Sequence, residues 1–351
     1  MVPANADREY RGFSLFTYHV LVAVVVVALA LLVWRIAGAL LLAFVGVLLA
    51  AALRGAARLL GRYLRVSTEW ALLPVAVVLI AALSLFIWFA GPQIDEQLGQ
   101  LIRTLPDSIQ RIEERLKQYP WGQYILDHLA SPEAAAGQGL HLVTRFTGIA
   151  SAAFTIVADF IIVIFTAVYF AVNPGIYRRG IVSLVPRSKS QRITEVFDAT
   201  ALTLQHWLLG QAVSMLAVGI LVAAGLWLAG VPMAFLLGVI AGVLEFIPYI
   251  GPVAAAIPGV LIALTQDWTT ALYAIIVYVI VQQIENQVLV PLIQKKAVEL
   301  PPALVILAVV ALGLLFGVLG ALVATPLMAV ILVWVKMLYV QDVLGKSVEV
   351  Q

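Results

Sequence analysis

Residues 239–291 read VIAGVLEFIPYIGPVAAAIPGVLIALTQDWTTALYAIIVYVIVQQIENQVLVP. The run is too long for one membrane crossing of about 20 residues, and Glu245, Pro248, Gly251, Pro252, Pro258 and Glu285 interrupt it. A carboxylate facing lipid near mid-bilayer costs between about 2.5 and well over 10 kcal/mol, so such groups line a protein interior or a wet cavity. Two of them on neighbouring segments predict one shared site. Helix breakers at that depth free backbone groups, which is tolerable only where protein or water receives them.

Composition sets the class. Hydrophobic residues make up 63% of the chain and charged ones 11%, with a mean hydropathy of +1.05, against about 25% charged in a soluble domain. The fold class expected is all-α, a polytopic membrane protein. Its 351 residues leave room for about eight spans and one hydrophilic insert. A net charge of +2 gives nucleic acid no electrostatic purchase. The absence of cysteine removes disulfides, thiolate catalysis and iron-sulfur ligation. No metal and no cofactor are expected, since His128 and His141 lack ligand-spaced partners.

In chain order, residues 1–90 carry three spans: 16–34 and 36–53 as a hairpin turning at Arg35, then 70–90. Between the second and third, Arg54, Arg58, Arg62 and Arg65 recur at helical spacing and read as a topology anchor rather than a lipid site. Residues 91–150 form a hydrophilic insert in which Leu98, Ile102, Leu105, Ile109, Ile112, Leu116 and Tyr119 make an apolar seam. That seam serves either packing within the chain or self-association. Pro106 is expected to open a second helix there. Residues 151–209 hold a fourth span with Thr155, Asp159, Thr166 and Asn173 on one face, either a pathway wall or an interfacial feature. A basic series, Arg178, Arg179, Arg187, Lys189 and Arg192, is expected to follow, and after it an amphipathic interfacial helix running to Gln205 and His206.

Residues 210–340 are the expected transport core, and 341–351 a tail. Short segments 233–249 and 252–264, divided at Gly251-Pro252, either cross thinly or make a re-entrant hairpin. Span 269–290 follows, then a pair, 303–319 and 321–337, joined around Gly317 and Gly320 with Pro326 kinking the last helix. Lysine and arginine concentrate on one side, including Lys295 and Lys296. That bias predicts cytoplasmic N- and C-termini.

Glu245 shares its helical face with Gly238, Ala241 and Gly242, small residues that let another backbone approach closely. Glu285 shares a face with Tyr278 and Gln282, and Asn286 widens the polar cluster. Such a cluster suits a small cation, a proton or a hydroxylated solute. A structural pair of hydrogen-bonded carboxyls locking two helices is the alternative. The chain has no H-E-x-x-H, G-x-S-x-G or Walker lysine loop, so no enzyme is expected and transport would run on a gradient.

GVLEFIPYIGP at 242–252 and VQQIENQVLVP at 281–291, with Gly210-Gln211 and LLFGVLGALVATP at 314–326, resemble the signature blocks of the autoinducer-2 exporter (AI-2E) family. Pro301-Pro302 stand where that family usually has His-Pro. The resemblance implies a bacterial inner-membrane transporter. Some members are assigned to export of autoinducer-2 and others to sodium or lithium exchange for protons. It also implies homo-oligomers, pentamers among them. The reading that follows is a secondary exporter of a small polar solute, with a sodium or lithium/proton antiporter and a non-transporting scaffold as rivals. Glu245, Glu285, Gln282, Asn286 and Asp159 would be its coupling and substrate residues, and Pro248, Gly251, Pro252 and Pro258 its gate.

Overall fold

The computed structural model describes residues 6–118, 149–293 and 300–347. Among these, all regular structure is helical: α1 (Ala6–Leu64), α2 (Thr68–Leu116), α3 (Ile149–Val172), α4 (Pro174–Ser183), α5 (Arg187–Leu228), α6 (Ala234–Leu244), α7 (Ile250–Gln266), α8 (Trp268–Ile284), a π-helical turn (Glu285–Leu289), α9 (Val290–Ile293), α10 (Pro302–Trp334) and a second π-helical segment (Val335–Gln341). His128, His141, Lys295 and Lys296 lie outside the described residues, as do the side chains of Leu105, Ile109, Ile112 and Leu116.

The all-α polytopic class stands, with a different partition from the eight expected spans. Among the described residues, five helices are long and apolar enough to cross a membrane, or six if α3 and α4, bent by 83°, count as one broken span. The largest difference is at the start. α1 runs unbroken for 59 residues, about 88 Å at 1.5 Å per residue, so there is no hairpin at Arg35. Neither glycine, proline nor a capping residue stands at 34–36, and one arginine does not end a helix. Without that reversal, the inference that put the N-terminus on the same side as Arg54 and Arg58 loses its support.

α2 likewise passes through Pro92 and Pro106, so no second helix begins at Pro106. A proline removes one backbone bond, and the helix continues on the others. The interfacial helix expected up to His206 is not a separate element, since those residues belong to α5. α4 alone is turned aside, with none of its residues buried, because Asn173 ends α3 and Pro174 supplies a pre-set first turn. Pro186 then ends the connection, and residues 187–228 run straight into the span as one helix.

The pair at the C-terminal end is as expected. Gly317 has φ 64° and ψ −148°, a conformation open to glycine alone, and the chain reverses there. Val305 and Val309 pack against Ala321 and Ala324 across the reversal. Pro326 is buried in the second half.

The main core lies among α5, α6, α7 and α8. Val222, Leu226, Leu237, Ile262 and Ala274 are among its most buried members, and alanine and glycine supply much of the rest. Small residues are what a membrane bundle packs with, since lipid offers no hydrophobic drive between helices. α2 reaches this core from outside: Leu101 is buried in it and Ile94 packs against it. From the same face, Gln97 Oε1 accepts a hydrogen bond from the Leu236 N–H at 3.0 Å, one of the free donors in the first turn of α6.

Asp267 caps α8. Its carboxylate accepts from the Thr270 N–H at 2.8 Å and the Thr270 hydroxyl at 3.0 Å, and these bonds hold its pKa below the ordinary aspartate value. A lowered pKa makes the charged cap stabilising above the unfolded value of roughly 3.9, and that contribution is lost as pH falls through the lower folded value. Amide exchange at 268–272, corrected for intrinsic rates, should therefore rise relative to the interior of α8 between about pH 5 and about pH 3. D267N keeps a capping oxygen without the charge and should flatten that dependence. An unchanged dependence in D267N would remove Asp267 as its source.

Candidate functional site

α5 descends from one side of the bundle and the chain turns back through Gly230, φ 74°, into α6. α6 has only 11 residues, a rise of about 16 Å, roughly half of the ~30 Å hydrocarbon layer. It stops at Leu244, and α7 returns from Ile250. α6 is thus too short to cross that layer by itself, and the two segments pack together as a helical hairpin. The break lies at 246–249, ahead of Gly251-Pro252 where it was expected. Pro252 falls in the first turn of α7, where its missing N–H removes no helical bond. The reversal is made instead by Tyr249 at φ 67°, ψ −46°, a strained conformation for a side chain of that size.

The tip is held to α5 at two points. Gln211 Nε2 donates to the backbone carbonyl of Glu245 at 2.6 Å, and the Trp207 ring meets Phe246 edge-on at 5.7 Å. Along the hairpin, Gly238 and Gly242 face α5 at Gly219, which is the close approach their spacing predicted. Gly251 backs onto the Leu244 carbonyl, and Gly259 onto the Tyr278 ring of α8.

These contacts bring the two acids together. Glu245 is 2% exposed and Glu285 8%, and the two carboxyls are near enough to interact. Gln282 Nε2 donates to Glu285 Oε2 at 2.7 Å. Glu245 Oε2 and the Tyr278 hydroxyl are buried without a partner, and both residues line a cavity of about 170 Å³ with Gln282, Pro252, Val218 and Val222. Glu285 does not line the cavity itself; it stands behind Glu245 and Gln282. The hollow has room for a few waters, a partly hydrated cation or a small polar solute, and falls short of the 300 Å³ or more of a drug-sized pocket.

Three expected site residues fall elsewhere. Asn286 is exposed, because Glu285 opens a π-helical turn whose hydrogen bonds reach one residue further and shift the face read at helical spacing. Asp159 is half-buried on α3 and does not line the cavity. Its neighbour on that face, Thr166, packs onto Gly46 of α1, where an added Cβ would lie 2.6 Å from Thr166 Cβ, so at that position the face serves helix packing. Pro258 lies inside continuous α7, while Pro248 stays in the linking loop, half-buried. Gln211 was not foreseen as part of the site, although an amide and Ser214 three residues on, both buried, were a visible signal on one helical face.

Residues 21–339 match the model of the AI-2E family transporter. YueF of Bacillus subtilis, provisionally named a transport protein, is 29% identical over 272 residues, covering 74% of this chain and 74% of its own length. A Thermotoga maritima protein with the same provisional name is 28% identical over 239 residues, covering 68% of this chain and 71% of its own. The AI-2 transport protein TqsA of Escherichia coli is 25% identical over 292 residues, covering 82% and 80%. A match across so much of the chain settles its kinship: it is a membrane protein belonging to the AI-2E transporter family.

Proposed function

We propose that the chain is a secondary transporter of the bacterial inner membrane that exports a small polar solute, autoinducer-2-like, against a proton or cation gradient. One observation carries the reading: an unpartnered Glu245 oxygen faces a small cavity, next to a second carboxyl, at the broken tip of a hairpin. Two carboxylates in contact away from water do not both stay ionised without a counter-charge. A proton or a cation supplies it, and the charge of the pair then follows the gradient. Tyr278 and Gln282 offer the hydrogen bonds a hydroxylated solute needs. The α6–α7 hairpin and α8 are the moving part, against a scaffold of α1, α2 and α3. The name of the Escherichia coli relative, an AI-2 transport protein, supports the solute class.

The end bearing Arg54, Arg58, Arg178 and Arg179 faces the cytoplasm by the positive-inside bias. It takes the C-terminal segment with it, because Arg192 binds the Met337 carbonyl at 3.0 Å and Asp342 at 2.8 Å. Leu98 and Ile102, uncovered on α2, support self-association through the seam. The test is flux from proteoliposomes of purified protein against a panel of small polar solutes and cations under imposed pH or sodium gradients. Gradient-driven solute flux is the expected result. Proton movement on adding sodium or lithium, without solute flux, would replace the exporter with the antiporter. No flux of either kind would leave the scaffold reading in its place.

A further inference from the structure

A second and larger cavity, about 670 Å³, opens at the basic end of the bundle, between the C-terminal part of α1, the α3–α4 elbow, α5 and α10. It shares none of its lining with the carboxylate site. Its inner wall is aromatic and apolar, with Phe170 stacked on Tyr177 at 3.9 Å and Phe197 edge-on to Trp334 at 5.5 Å. Its mouth holds Arg54, Arg58, Arg178 and Arg179 against Glu69 and Asp198. Asp198 is taken up by Arg178 at 2.6 Å. Among the described residues, Arg54, Arg58 and Arg179 make no ion pair. The pocket is therefore an apolar hollow under a ring of cations with too few anions to balance them.

We propose that this cavity binds the phosphate-bearing head of an anionic membrane lipid, with Arg58 and Arg179 on the phosphate and the aromatic wall against the upper acyl chain. Two features favour a lipid over a soluble phosphate. α4 turns by 83° from α3 and lies at the bundle end with no buried residue, leaving Ile176 (57%), Ile181 (46%) and Leu184 (85%) exposed. A helix so placed, basic and apolar at once, lies in the headgroup region of a bilayer, which sets the mouth of the cavity at headgroup level. The lining, in turn, is mostly apolar, with Asn173, Thr200 and Gln205 as its uncharged polar members; apolar surface suits an acyl chain rather than a bare phosphate, and basic pockets between spanning helices suit anionic headgroups with chains attached. The pocket joins α1, α3, α5 and α10, so an occupant would brace the scaffold side of the molecule. The proposal stands whether or not the transport reading does.

Native mass spectrometry of the purified full chain, titrated with phosphatidylglycerol or with phosphatidylcholine of the same chain length, tests it. Wild-type protein should retain phosphatidylglycerol about tenfold more tightly, and R58A/R179A should lose most of that preference. Both arginines are exposed, so the variant should stay folded and monodisperse. R62A/R65A removes two exposed arginines of the same helix end and chain turn that do not line the cavity, and should keep the preference. Equal binding of the two lipids overturns the proposal, as does an equal loss in R62A/R65A. Displacement of the lipid by equimolar inorganic phosphate overturns it in favour of a soluble anion.

Discussion

E245Q should run at background flux in proteoliposomes, at least about a hundredfold below wild type, equivalent to roughly 2.7 kcal/mol or more of added barrier, while melting no lower than wild type. Glutamine keeps the shape of glutamate and a carbonyl for hydrogen bonding, but it neither takes up a proton nor balances a cation. Glu245 is 2% exposed with one carboxyl oxygen unpartnered, so ionising it would be a cost to the resting fold rather than a support. A neutral amide beside Glu285 should leave the melting temperature equal or higher. A helix lock would behave in the opposite way, with stability falling and flux following only as folded protein is lost. E285Q should share the loss of flux. Its partner Gln282 then faces an amide, which accepts through its oxygen once turned, so the fold should again hold. Wild-type flux in both variants would end the assignment of the pair to coupling.

The acids were legible in the sequence because a carboxylate inside an apolar run is costly enough to be rare without a purpose. Their meeting followed from small residues on the face of α6 and the adjacency of α8. The misreadings have physical causes of their own. Pro252 was taken for the breaker because proline ends helices in their interior, yet in a first turn it starts them. The actual break rests on a left-handed Tyr249, for which composition carries no mark. Asn286 was placed by a 3.6-residue period, and the π-helical turn at Glu285 moves it off that face. Arg35 was read as a turn because two spans' worth of apolar residues flank it, a matter of length and not of local chemistry. The docking of Gln97 onto Leu236 depends on tertiary placement of α2, which no spacing within either segment encodes.

The second large effect tests whether the hairpin must sit where it does. G242A should lower the melting temperature and cut flux, while G38A should do neither. Both are glycines inside helices, where alanine alone gains about 1 kcal/mol of helix propensity. Gly38 has nothing within 4 Å of an added Cβ, so that gain is all it should show. At Gly242 the added Cβ would fall 2.7 Å from the Met215 carbonyl and 3.2 Å from Gly219 Cα. Both are backbone atoms of α5, with no flexible side chain to swing away, so the helices must part. Overpacking of this kind costs about 1–3 kcal/mol, which exceeds or cancels the propensity gain. The parting also falls one turn from Glu245, whose carbonyl hangs on Gln211 of the same α5, so the carboxyl would leave its cavity position before the bundle unfolds. Flux should therefore fail at temperatures where G242A is still folded. If G242A instead tracks G38A in both readouts, the close α5–α6 contact is not what positions Glu245, and the hairpin is free to shift without it.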